Sequence, residues 1–120
     1  MKQEIKQAFN EQGYSFLLPI QEKAIPQILS RKNLFIQAAT GSGKTLAYLL
    51  PALEITDAAS NDTQILIITP TRELALQVSE VAKNIANYSK HHIVTVIGGL
   101  DIHKQENALR HRPTIIIGTP

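Results

Sequence analysis

The residues best suited to chemistry are Ala38-Ala39-Thr40-Gly41-Ser42-Gly43-Lys44-Thr45, a small-residue loop that ends in Lys-Thr. Polyphosphates are held by several backbone N–H groups converging on their oxygens, and only a loop with little side-chain bulk brings the backbone that close. Lys44 is placed to reach the β and γ phosphates, and the Thr45 hydroxyl to ligate the Mg²⁺ that accompanies a nucleoside triphosphate. These two residues are the expected catalytic pair. A helix opening near Gly43 would aim its N-terminal dipole at the same charge.

Such a loop needs a strand before it and a helix after it. Asn33-Leu34-Phe35-Ile36-Gln37 reads as a short buried strand, and Leu46 to Leu50 continues as a helix to about Thr56. Upstream, Ile5, Ala8 and Phe9 fall at helical spacing within residues 2 to 12, and Gly13 marks a stop. A second helix is expected from Pro19 towards Arg31, kinked or reopened at Pro26, with Ile25, Ile28 and Leu29 as its apolar face.

Downstream, residues 57 to 62 read as a surface loop and Gln64 to Thr69 as a second strand. The next helix carries Leu74, Val78, Val81, Ala82 and Ile85 on one stripe. Ile93 to Ile97 is a third strand, Asp101 to Arg110 a weaker helix and Thr114 to Ile117 a fourth strand. Alternating helices and apolar strands predict an α/β fold: a parallel sheet flanked by helices and covered on both faces. Ligands of such sheets gather at the carboxyl ends of the strands.

Length and composition fit one small domain, with 120 residues and a 43% apolar share. A net charge of +2 and a pI near 9.0 permit a nucleic-acid partner without demanding one. Cysteine is absent, which rules out disulfides and thiol-bound zinc and fits a reducing cytoplasm. The apolar runs, such as Ile65 to Ile68, are too short to span a bilayer. His91, His92, His103 and His111 match no metal-ligand spacing and read as surface residues.

Taken in order, these motifs resemble the first core domain of the DEAD-box ATP-dependent RNA helicases, a P-loop NTPase (RecA-like) fold. The loop at residues 38 to 45 has the family form Ala-x-Thr-Gly-x-Gly-Lys-Thr, so Ala38 through Thr45 are implied to bind ATP and Mg²⁺. Gln21, within Pro19-Ile20-Gln21-Glu22-Lys23-Ala24-Ile25-Pro26, looks like the Q-motif glutamine, which in the family reads the adenine edge; a side-chain amide can donate and accept at once. Leu17-Leu18 stand where the family usually has Pro-Thr. Pro70-Thr71-Arg72-Glu73-Leu74-Ala75 resembles motif Ia, Gly98-Gly99 the glycine element and Thr119-Pro120 the first half of a Thr-Pro-Gly-Arg motif. In the family these touch the RNA backbone, as a charged fork, hydroxyls and bare glycine backbone can. The resemblance divides the chain into a Q-motif region, residues 1 to 25, and the first part of an ATP-binding domain, residues 26 to 120. It also implies a cytoplasmic monomer that works with a second core domain.

Hydrolysis in this class needs a carboxylate pair at a strand end, one for Mg²⁺ and one for the attacking water. No two acidic residues are adjacent in this chain. In the family the Asp-Glu-Ala-Asp motif, the Ser-Ala-Thr motif and the second domain come later. The isolated chain is therefore expected to bind ATP without turning it over and to have an incomplete sheet. The alternatives are a truncated, non-catalytic nucleotide-binding chain and a P-loop ATPase of another kind, such as a DNA helicase. Gln21 and Pro70-Thr71-Arg72-Glu73-Leu74 argue against the last.

Overall fold

The computed structural model describes residues 1–120. Helix α1 spans Gln3–Glu11 and buries Ile5, Ala8 and Phe9, and Gly13 beyond its end takes φ +90°. Helix α2 runs Pro19–Leu29, stopping short of Arg31, whose φ of 62° is left-handed and incompatible with continuation. Its buried positions are Gln21 and Ala24, while Ile25 and Ile28 are half-buried and Leu29 is exposed, so the apolar face read from spacing is corrected. Helix α3, Lys44–Ile55, is nearly all apolar and mostly buried.

Three strands form the sheet: β1 (Ile65–Ile68), β2 (Ile93–Val96) and β3 (Ile115–Gly118). Between them lie helices α4 (Arg72–Ile85) and α5 (Ile102–Arg110). The order is β1-β3-β2, all parallel, with Ile65 and Ile93 both level with Ile115. A side-chain period of two then puts Ile65, Ile67, Ile93, Thr95, Ile115 and Ile117 on one face. Helix α4 packs on that face, α1 and α3 pack against α4 and each other, and Ile5, Phe9, Leu49, Leu53, Val78 and Ile85 close one continuous core with the sheet.

The expected strand at residues 33 to 37 is not a strand. No backbone hydrogen bond involves it, and Phe35 is 92% exposed. A strand exists only by pairing, and no neighbour lies beside this segment to accept its N–H groups. The free edge of β1 is the counterpart: Leu66 and Ile68 are 65% and 61% exposed. Helices cover both faces of the sheet only around β2, where α5 packs, so the expectation of a doubly covered sheet is corrected at β1.

Candidate nucleotide and nucleic-acid sites

The phosphate loop turns on two glycines with positive φ, Gly41 at 81° and Gly43 at 91°. Ser42 N–H donates to the Ala39 carbonyl at 3.2 Å, and Lys44 Nζ reaches across the loop to the Ala38 carbonyl at 2.6 Å. Ala38 to Lys44 thus close into a ring of backbone with the ammonium over it. Ser42 Oγ is buried within it and has no hydrogen-bond partner, an unusual cost unless the loop serves a polar ligand. Bare backbone, a helix N-terminus and an ammonium form a donor set that fits a polyphosphate. Thr45, in the first turn of α3, supplies the hydroxyl oxygen that would hold Mg²⁺.

Gln21 stands directly against this loop. Its Oε1 accepts from Leu18 N–H at 2.8 Å, capping α2, while its Nε2 donates to the Gly43 carbonyl at 3.2 Å. A Cβ on Gly43 would lie 2.7 Å from Gln21 Nε2 and 2.8 Å from Leu18 Cδ1, so only glycine permits this approach. Beside the contact is a concavity of about 400 Å³ lined by Leu18, Pro19, Ile20, Lys23, Gly41 and Ser42. One amide hydrogen and one lone pair of Gln21 are left over from these two bonds.

The other candidates gather at the carboxyl end of the sheet, each directly after a strand. Thr69 N–H donates to the Gly118 carbonyl at 2.9 Å and Thr119 N–H to Val96 at 3.3 Å, continuing the ladder into the loops. Pro70, Thr71 and Arg72 follow β1, Gly98 and Gly99 follow β2, and Thr119 and Pro120 follow β3. Thr71 caps α4 by accepting from Leu74 N–H at 3.1 Å. Arg72 Nη1 donates to the Gly98 carbonyl at 3.2 Å, and a Cβ on Gly99 would collide with that same nitrogen.

Two arrangements escaped the sequence. His91, expected on the surface, is half-buried with Nε2 2.7 Å from Thr56 Oγ1 and Nδ1 2.6 Å from Ser89 Oγ. Burial chiefly, and then the charge of Lys2, lower its pKa from the ordinary imidazole value. Gln105 places both ends of its amide on Ile97, accepting from the N–H at 3.0 Å and donating to the carbonyl at 2.9 Å. Neither residue belongs to a local motif, so no spacing signals it. No group of acidic or histidine side chains is arranged to hold a metal ion. No helix is long and apolar enough to cross a membrane.

Residues 18–120 match the family model of the DEAD/DEAH box helicases. The whole chain aligns at 46% identity with the ATP-dependent RNA helicase CshA of Listeria monocytogenes, covering 23% of that protein. With the DEAD-box ATP-dependent RNA helicase CshA of Bacillus subtilis it is 40% identical, again over the whole chain and 24% of the relative. The chain therefore spans about a quarter of the length of these relatives. Among solved structures, a hypothetical ATP-dependent RNA helicase from Sulfolobus tokodaii superposes with a TM-score of 0.90 at 38% identity, covering all of this chain and 34% of the other. The DEAD-box helicase Mss116 bound to single-stranded RNA and UDP-BeF gives 0.88 at 34% identity, covering all of this chain and 26% of the other.

Proposed function

The chain belongs to the DEAD/DEAH box helicase family, and on that premise we propose that it is the ATP- and RNA-binding front of an ATP-dependent RNA helicase. Residues 38 to 45 with Gln21 form the ATP site. Pro70, Thr71, Arg72, Gly98, Gly99, Thr119 and Pro120 form the RNA-backbone site. The observation that carries this reading is the convergence of the loops after all three strands at one end of the sheet, two of them bridged by Arg72. Guanidinium, threonine hydroxyls and bare glycine backbone are groups that grip a phosphodiester chain without reading its bases.

In the ATP site the residues bind and orient. The Lys44 ammonium neutralises the terminal phosphates, and the backbone N–H groups of Gly41 to Lys44 fix their oxygens. The Thr45 hydroxyl would hold Mg²⁺, which would supply Lewis-acid neutralisation of the phosphate charge. Gln21 keeps α2 and the concavity beside it at a fixed distance from the loop, and its spare hydrogen and lone pair suit the adenine edge. The bare edge of β1 and the unpaired segment 33 to 37 are suited to take further strands of the complete domain, such as the family's Ser-Ala-Thr strand. The family's Asp-Glu-Ala-Asp carboxylates and second core domain would complete hydrolysis.

Titration of a fluorescein-labelled single-stranded RNA, with and without ATP and Mg²⁺, tests the division of labour. Arg72→Ala should weaken RNA binding several-fold and leave nucleotide binding within twofold. Equal loss of both would sink the assignment of two separate sites.

A further inference from the structure

Helix α5 contributes no fully buried residue to the core. It is nevertheless fixed to the sheet at one point. Asp101 caps the helix, accepting from His103 N–H at 2.9 Å and Lys104 N–H at 3.4 Å, and this sets Gln105 one turn in. The Gln105 amide then accepts the N–H and donates to the carbonyl of the same residue, Ile97. That pair of bonds imitates a neighbouring strand. β2 is an edge strand, paired only with β3, so the side-chain amide takes the place of a missing partner at its end.

Ile97 is the residue before Gly98-Gly99. Its side chain is in the core, and both its backbone groups are held by Gln105. Two soft dihedrals separate it from the Gly98 carbonyl, the group on which Arg72 lands. Without the amide, the two glycines would leave that carbonyl free to swing.

We propose that Gln105 is a positioning residue for RNA binding: it pins Ile97, and so presets the Gly98-Gly99 loop and the Arg72 guanidinium before RNA arrives. This rests on the reading of that face as the RNA site. Preorganisation of this kind appears as affinity, because the ordering is done before binding.

The test uses the protein as its own gene produces it, with a labelled oligouridylate as the RNA probe. Gln105→Met keeps the length and loses both hydrogen bonds; the RNA Kd should rise about fivefold to tenfold, the scale of one or two such bonds. The Kd for a fluorescent ATP analogue should stay within twofold. In an Arg72→Ala background Gln105→Met should add less than twofold, because both act through one loop. Gln105→Glu turns a second acceptor towards the Ile97 carbonyl; its RNA Kd, relative to the unmodified protein at the same pH, should recover as the carboxyl is protonated and can donate again.

Full additivity with Arg72→Ala overturns the inference. So does a Gln105→Met protein whose melting temperature and ATP affinity fall together with its RNA affinity, which marks a merely structural role. If Arg72→Ala weakens RNA binding and Gln105→Met does not, the inference alone fails. If Arg72→Ala leaves RNA binding unchanged, the RNA reading of the face falls and takes the inference with it.

Discussion

The side-chain amide of Gln21 donates to the Gly43 carbonyl at 3.2 Å, tying helix α2 to the last glycine of the phosphate loop across 22 residues of chain. The same side chain caps its own helix through Leu18 N–H and is 2% exposed. One residue therefore carries both local order and the placement of the candidate nucleotide site.

Replacing it separates those duties. Gln21→Ala leaves the half-buried N–H of Leu18 without its partner and the Gly43 carbonyl with only its helical bond from Ala47 N–H, at a cost of about 1 kcal/mol. Chemical denaturation should show that loss, and nucleotide titration a weaker ATP complex. A variant of unchanged stability would show that water replaces both bonds and that the tie is dispensable.

Lys44 gives the opposite profile. Its side chain is exposed and its one hydrogen bond is to the Ala38 carbonyl, so Lys44→Ala should leave the melting temperature nearly unchanged. The charge-assisted contact to phosphate is worth about 1.5–3 kcal/mol, roughly tenfold to a hundredfold in nucleotide Kd. Isothermal titration with ATP and Mg²⁺ reads this directly. Retained affinity would remove Lys44 from the site.

Gly99 sits at φ +82°, and a Cβ there would meet Arg72 Nη1. Gly99→Ala should cost about 1 kcal/mol of backbone strain and push the guanidinium off the Gly98 carbonyl. RNA affinity should fall while nucleotide affinity holds. If RNA affinity is unaffected, the Arg72–Gly98 contact does not shape that face.

His91 links the end of α3 to the turn before β2. Its ring faces the Thr56 and Ser89 hydroxyls, with the charges of Lys2 and Glu4 close by. Lys2 is in turn held by Glu54 through its backbone N–H and by the Thr56 carbonyl through Nζ. Because the imidazole pKa is lower in the folded chain than in the unfolded one, the unfolded chain binds more protons. Stability is then intact above the ordinary histidine pKa and declines as pH falls from there through the lowered value. Denaturation at a series of pH values should show this slope, and His91→Gln should flatten it. An identical slope in the variant would place the pH response elsewhere.

Much of this was legible in the sequence because it is local. Gly41, Gly43, Lys44 and Thr45 mark the loop by type and order, and Ile5, Ala8 and Phe9 mark a buried helix face by spacing alone. What failed was non-local. Leu34-Phe35-Ile36 has the composition of a buried strand, but pairing depends on a neighbour that composition cannot reveal. In α2 one of the two buried residues is polar, Gln21, because its amide bridges to the phosphate loop while Ala24 and Ile25 carry the apolar packing. His91 and Gln105 owe their surroundings to partners 35 and 8 residues away, and no periodicity encodes either distance.

β3 lies between β1 and β2 yet follows both in the chain. As the polypeptide leaves the ribosome, β1 and β2 emerge with nothing to pair with, and Ile115 to Gly118 must then insert between them, each making its ladder at once. Such a sheet cannot grow strand by strand. Nascent chains stopped before Ile115 should carry helices but no ladder, and synthesis should show one late, abrupt gain of protection from proteolysis.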